Sequence, residues 1–446
     1  MRKVLLVSTY ELGRQPFGLA SPAAWLREAG VDVACVDVSR ERLREEAVRG
    51  VDVVAFHVPM HTATRMALDV LPKVRAWNPR AHVCFYGLYA IPNEPHLRAQ
   101  GVDTILGGEY EEALVRLAQG LGEGETSLSK ARQKFRVPDR TGLPALSEYA
   151  GLQTADGVRT AAHTEASRGC KHLCRHCPIV PVYQGAFRLV QADVVLEDVR
   201  RQVAAGALHV TFGDPDFFNS VRHAMQIVRA LHAELPHLTW DATIKVEHLL
   251  DHADLLPEMV RSGCAFVTSA VESVDDVVLE KLDKGHTRAD FERVVGLCRG
   301  AGLGLTPTFV PFTPWTTPAG YVELLRALAA LDLVDCVAPV QLAIRLLVPA
   351  RSRLLELPEI ADLVGDRFDP AALLYRWTHR DPRVDALCEE VQALVWKDAQ
   401  EDAPRGDTFR SVWDLAHDVA GINDAPALPD RPSRSVIPYL DEPWYC

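Results

Sequence analysis

A chain of 446 residues is long enough for two or three domains of ordinary size. Apolar residues make up 48% and charged residues 24%, the balance of a globular protein with a packed core. A net charge of −12 argues against nucleic-acid binding through a broad basic face, and no apolar run reaches the roughly 18 residues that a membrane span needs.

The opening "MRKVLLVSTYELG" has the basic start and short apolar run of a signal peptide, but Glu11 and Arg14 interrupt it. It reads better as a first buried strand, and the cytoplasm is the expected location. Over residues 1–120, short apolar runs ("KVLLVST", "GVDVACVDV", "GVDVVAFHV", "HVCFYG", "GVDTILGG") alternate with amphipathic stretches such as "RMALDVLPKVRAW". That rhythm predicts an α/β domain with a parallel sheet, helices on both faces, and a ligand crevice outside the carboxyl ends of the strands. The loops expected there are "TYELGRQPFG", "HVPMH", "YGLYAIPN" and "GGEYEE". They suit a large, flat, mostly apolar ligand better than a phosphate, because no phosphate-loop or dinucleotide glycine pattern follows the first strand.

Residues 121–160 are polar, broken by Pro and Gly, and read as a linker. Over residues 161–350 the rhythm resumes with about six strand–helix units, starting at "TAAHTEAS" and ending at "CVAPVQLAIRLL", which suits a partial or full barrel. Residues 351–446 read as mainly helical with an extended Pro-rich end. That end carries Ile437, Tyr439, Trp444 and Tyr445, and is expected to dock on the body.

Just after the first strand of the barrel, "SRGCKHLCRHCPI" places Cys170, Cys174 and Cys177 within eight residues. Seven other cysteines are scattered and read as small core residues. Clustered thiols without a disulfide framework point to zinc or to an iron–sulfur cluster. A structural zinc site would draw on His172 or His176 as fourth ligand, whereas the position at a barrel mouth favours chemistry.

"CKHLCRHC" is the C-x-x-x-C-x-x-C signature and resembles that of the radical SAM enzymes. The resemblance implies a [4Fe–4S] cluster on the three cysteines, S-adenosylmethionine (SAM) on the open iron, and an external electron donor of the flavodoxin or ferredoxin type. It also implies SAM contacts. Asp214 in "TFGDPDF" stands where the family holds the amino group, and Glu272 and Ser273 in "SAVESVDD" where it meets the ribose and methionine parts. His176 holds the slot beside the adenine. Lys245 and Glu247 in "TIKVEH" alternate on an expected third strand, which would put both on one face. Arg345 in "QLAIRLLVP" is a candidate inward arginine for a carboxylate. The alternatives are a Pro-containing turn at Asp214, a solvent edge for the Lys–Glu pair and a surface position for Arg345.

The first domain, through "FYGLYAIPNEPHLRAQGVDTILGGEYEEALVRL", resembles the cobalamin-binding domain that precedes the barrel in one branch of that family. This implies a Rossmann-like, flavodoxin-like cobalamin domain, then a partial (β/α)6 barrel and a helical C-terminal region. Cobalamin contacts are expected from Glu11, Leu12 and Gly13, from Pro59 and Met60, from Gly87, Leu88 and Tyr89, and from Gly108 and Glu109. The D-x-H-x-x-G cobalt-ligand motif is absent, so His57 and His61 read as polar lining. The related methylthiolating branch carries a second cluster on three cysteines here, whereas this region holds Cys35 and Cys84 alone. "FTPWTT", "IRLLVP" and "DEPWYC" resemble a subgroup ending in a C-C-A-E-P or C-U-A-E-P tail. Readings of the end at Cys446 stay open: a natural or a divergent terminus, or a selenocysteine codon read as stop, with a continuing tail that makes Cys446 a soft ligand or redox group. The function implied is a cobalamin-dependent radical SAM enzyme methylating an unactivated centre of a small molecule. Radical rearrangement, oxidation or cyclisation without methyl transfer, and a non-catalytic cobalamin- or metal-binding module, are the alternatives.

Overall fold

The computed structural model of the chain describes residues 2–422, 428 and 439–440. The first sheet is built from β1 (Lys3–Ser8), β2 (Asp32–Asp37), β3 (Val53–His57), β4 (His82–Tyr86), β5 (Thr104–Gly108) and β6 (Thr126–Ser129). They run parallel in the order β2-β1-β3-β4-β5-β6. β1 shows why its sequence is continuously apolar. Leu5 and Val7 pack into the core on one face, and Val4 and Leu6 into the core on the other. A parallel strand covered by helices on both sides has no solvent face to supply polar residues. The strand order is the flavodoxin-like one, whose switch point lies between β1 and β3.

The second sheet starts with a hairpin of β7 (Gly151–Thr154) and β8 (Gly157–Thr164). A short antiparallel ribbon follows, made of β9 (Ser167–Gly169) and β10 (Phe187–Leu189). β11 (His209–Phe212), β12 (Thr239–Thr243), β13 (Cys264–Glu272) and β14 (Gly304–Phe309) then run parallel to β8, giving the order β14-β13-β12-β11-β8-β7. It is a curled, open half-barrel. Helices Pro382–Gln400 and Arg405–Val419 cover it, burying Leu387, Val391, Phe409 and Trp413 in its core. After the small pair β15 (Phe368–Asp369) and β16 (Leu374–Tyr375), β17 (Tyr439–Leu440) adds an antiparallel edge to β7. The docking expected of the tail is seen there for Tyr439. Ile437, Trp444, Tyr445 and Cys446 lie outside the described residues.

Three expectations need correction. The sixth barrel strand is absent among the described residues. "CVAPVQLAIRLL" forms two short 3-10 turns, Val334–Cys336 and Pro339–Leu342, and one parallel bridge between Arg345 and Phe312. Pro339 lacks the N–H a ladder needs, and the Gln341 side-chain oxygen instead accepts the Phe309 N–H at 3.0 Å. The span read as a linker contributes β6 to the first sheet and β7 to the second. Lys245 and Glu247 do not alternate on a strand. β12 ends at Thr243, Lys245 caps helix Val246–Asp251 and Glu247 sits in its first turn. No described helix is long and apolar enough to cross a membrane.

Candidate active site

The cysteine loop leaves the half-barrel from β9. Gly169, just before Cys170, has φ +77°, and a Cβ there would lie 2.5 Å from the Ala186 carbonyl and 2.6 Å from the Tyr183 ring. Glycine is therefore required for the chain to turn out of the ribbon. Neighbouring loops hold the turn. The Asn219 side chain donates to the Gly169 carbonyl and accepts from the Lys171 N–H, each at 3.1 Å. The Arg175 N–H donates to the Leu282 carbonyl at 2.9 Å. Cys170 and Cys174 are buried and Cys177 partly so. Burial pushes the Cys170 thiol up to about 11 and the Cys177 thiol up to about 12. Thiols so placed ionise when a cation takes up the charge.

Cys170, Cys174 and Cys177 offer three soft thiols from one loop and no fourth cysteine beside them in sequence, as suits a cluster in which each thiolate binds its own iron and one iron stays open. The donor set fits a [4Fe–4S] cluster.

Around this loop the structure gathers part of the expected set. Glu272 ends β13 with φ +72°, and its Oε1 lies 3.1 Å from His176 Nε2 and 3.3 Å from Lys284 Nζ. Burial works against its charge, but Lys284 first and His176 second hold its carboxyl down at about 2. Lys284 was missed by sequence reasoning. Its signal was the "DKGH" loop that follows the helix after β13, where Gly285 takes φ +76°. A Cβ on Gly285 would stand 3.2 Å from Glu247 Oε2 and 3.9 Å from Lys245 Nζ, so this loop also meets the Lys245–Glu247 pair, itself 3.3 Å apart.

Other members of the set are engaged elsewhere. Asp214 is buried, accepts the Ala166 N–H at 2.8 Å and the Ser167 hydroxyl at 2.5 Å, and thereby braces the approach to β9. Burial raises its carboxyl to about 7. The Ser273 hydroxyl accepts the Asp275 N–H at 3.0 Å. Arg345 is not an inward arginine of a barrel strand. Its guanidinium donates to Asp385 at 2.7 Å and to the Trp377 carbonyl at 2.9 Å, and lies 3.7 Å over the Trp377 ring.

At the carboxyl end of the first sheet, Leu12 and Gly13 form a left-handed turn with φ +53° and +68°. Glu11 is committed to the helix that follows: Oε1 accepts from the Phe17 N–H at 3.1 Å and the Gly18 N–H at 3.4 Å, and Oε2 lies 3.3 Å from His57 Nδ1. A Cβ on Gly18 would enter the His57 ring at 1.9 Å, and one on Gly87 would lie 3.2 Å from that ring. His57 is thus walled in by two glycines. His61 Nε2 is 2.5 Å from the Ala372 carbonyl. Both histidine rings lie against protein groups. Pro59 and Met60 end the β3 loop, and Leu88 and Tyr89 follow Gly87 on the β4 loop. Gly108 presses on the Ser129 carbonyl, where a Cβ would come within 1.9 Å.

Glu109 is buried and joins the end of the first sheet to the ribbon and loop that carry the cysteines. It accepts from the Tyr183 hydroxyl at 3.0 Å and pairs with Arg168 at 3.3 Å. Arg168, two residues before Cys170, also meets Glu111 at 2.7 Å and Glu165 at 2.8 Å. The carboxyl end of the first sheet therefore abuts the cysteine loop.

Residues 164–326 match the Radical SAM superfamily. A hopanoid C-3 methylase of Methylococcus capsulatus is 24% identical over 328 residues, covering 68% of this chain and 63% of that protein. A tRNA-2-methylthio-N(6)-dimethylallyladenosine synthase of Chlorobium phaeovibrioides is 24% identical over 43% of this chain and 42% of its own. The chain thus spans under two thirds of the length of these curated relatives. Among solved structures, the radical SAM methyltransferase TsrM from Kitasatospora setae, with tryptophan substrate and a SAM analogue bound, superposes with TM-score 0.60 at 19% identity over 82% of this chain and 77% of that one. The cobalamin-dependent SAM radical enzyme OxsB, with aqua-cobalamin bound, gives TM-score 0.70 at 13% identity over 89% and 67%. At these identities the likeness is one of fold.

Proposed function

From a chain that carries a radical SAM domain over residues 164–326, we propose a cobalamin-dependent radical SAM enzyme that methylates an unactivated centre of a small molecule, with electrons from an external donor. The observation that carries this reading is the junction at Arg168. Glu109, just after β5, and Tyr183 behind the cysteine loop share a hydrogen bond, and Arg168 pairs with Glu109, so the carboxyl end of the first sheet lies against the loop that carries the cysteines. When bound, the cluster supplies one-electron reduction of SAM, and cobalamin supplies a methyl carrier.

The chain's own residues do the rest. Cys170, Cys174 and Cys177 hold the cluster. Glu272, kept ionised by Lys284, and His176 beside it present charge and a ring to SAM. Asp214 sets the strand from which the cysteine loop departs. The loops of Leu12, Pro59, Gly87 and Gly108 offer backbone to the corrin. Cys35 and Cys84 belong to the first-sheet core, which speaks against a second cluster and hence against methylthiolation.

The test is turnover. Anaerobically reconstituted protein given SAM, cobalamin and dithionite is expected to release 5′-deoxyadenosine, together with S-adenosylhomocysteine in the presence of substrate. Deoxyadenosine alone would favour cobalamin-assisted radical chemistry without methyl transfer. Neither product from fully loaded protein would leave a binding module.

A further inference from the structure

Beside the cysteines lies a second set of metal-ligating side chains. Among the described residues, His172, Asp216 and His248 are the single group of His, Cys, Asp and Glu whose ligand atoms all lie within 4.8 Å of one another. They come from three elements that converge at the mouth of the half-barrel. His172 stands in the cysteine loop, Asp216 caps the 3-10 turn Phe217–Ser220 after β11, and His248 lies in helix Val246–Asp251 after β12. His172 Nε2 is 3.3 Å from His248 Nε2 and 3.6 Å from Asp216 Oδ2. Nitrogen and oxygen ligands about 2.0–2.1 Å from one tetrahedral ion stand about 3.3 Å apart, close to the 3.6 Å between His172 Nε2 and Asp216 Oδ2.

Hydrogen bonds leave Asp216 Oδ2 and His248 Nδ1 open to a ligand. Asp216 uses Oδ1 as the cap, accepting from the Phe218 N–H at 3.2 Å. Its Oδ2 and His248 Nδ1 lie 2.7 Å apart, yet neither has a hydrogen-bond partner among the described residues. Both side chains are more than nine-tenths buried, Asp216 at 0% and His248 at 3% exposure. The pair is at ion-pair distance without the angles of a hydrogen bond, which leaves both buried atoms able to turn to a metal ion. Glu247 Oε2 stands 3.6 Å from His172 Nδ1, the nitrogen that does not face the group. That is where a metal-bound histidine finds the carboxylate that orients it.

We propose that His172, Asp216 and His248 hold one divalent transition-metal ion of the zinc class, apart from the cluster cysteines. Two imidazoles and one carboxylate leave a coordination position for water or a substrate heteroatom. The site rests on these contacts alone and does not depend on the methyl-transfer reading.

The experiment is metal analysis of the full chain, purified anaerobically with its cluster, equilibrated with zinc and dialysed. About one zinc per chain is expected beside the cluster iron. H248Q and D216N are each expected to cut zinc at least about tenfold while iron and sulfide stay at wild-type content. Since D216N also weakens a cap, the wild type offered cobalt(II) provides an independent reading. About one high-spin cobalt per chain, seen by EPR against the EPR-silent oxidised cluster, supports the site. A cluster-loaded wild type that retains neither metal, or zinc that stays in both variants, overturns it. A bare hydrogen-bonded Asp–His–His chain would give the first of these results.

Discussion

Asp214 shows how one buried carboxyl ties local structure to pH. Burial raises it from 3.8 to about 7 in the folded chain. A carboxyl whose folded value is raised stabilises the fold when protonated. That contribution is fully present below about 3.8 and is lost as pH rises toward about 7. The stability advantage of wild type over D214N, measured by thermal unfolding, should therefore shrink between about pH 4 and pH 7 and level off above. A difference that is flat across this range would remove the assignment. Glu272 has the opposite sign, because Lys284 and His176 outweigh its burial and keep it charged.

At the scale of elements, the turn from β9 into the cysteine loop depends on Gly169. The variant G169A places a methyl against the Ala186 carbonyl and the Tyr183 ring in a left-handed backbone, which alone costs about 1–3 kcal/mol. It should lower the midpoint of denaturant unfolding and the iron content together, and wild-type iron content would contradict it. The elements themselves were legible to different degrees. The first sheet was readable because strands covered on both faces spell continuous apolar runs, as in β1. The cysteine loop was readable because three thiols in eight residues have few other uses. The sixth barrel strand was misread because "CVAPVQLAIRLL" is as apolar as a strand, while Pro339 and a side-chain bond from Gln341 end the ladder there. Lys245 and Glu247 were assigned to a strand by alternation, which a helix cap can mimic over three residues. Lys284, His248 and Asp216 were invisible as a site because their neighbours lie in other elements, and spacing along the chain does not report that.

Over the whole molecule, Arg168 is a buried contact that ties the β9–β10 ribbon of the half-barrel to the end of the first sheet. It is buried among Glu109, Glu111 and Glu165, and its guanidinium lies within 5.7 Å of the rings of Phe17, Tyr110 and Phe135. The carboxylates split. Burial raises Glu109 to about 7 despite Arg168, whereas Glu111, nearer the guanidinium, overcomes its burial and is held below its ordinary value. Removing the cation in R168M strands buried carboxylates and should cost about 3–5 kcal/mol. Urea unfolding should then show the two halves melting separately, whereas a single transition unchanged from wild type would mean that the junction is held elsewhere.

The central claim is that Cys170, Cys174 and Cys177 hold a four-iron cluster with one iron open to SAM. EPR of the dithionite-reduced, anaerobically reconstituted protein, recorded with and without SAM, tests it most directly. The account predicts about four irons and four sulfides per chain, a reduced-cluster signal that changes on adding SAM, and loss of both in variants of the three cysteines to alanine. Zinc bound by these thiols in place of iron and sulfide, or a cluster signal indifferent to SAM, would contradict it.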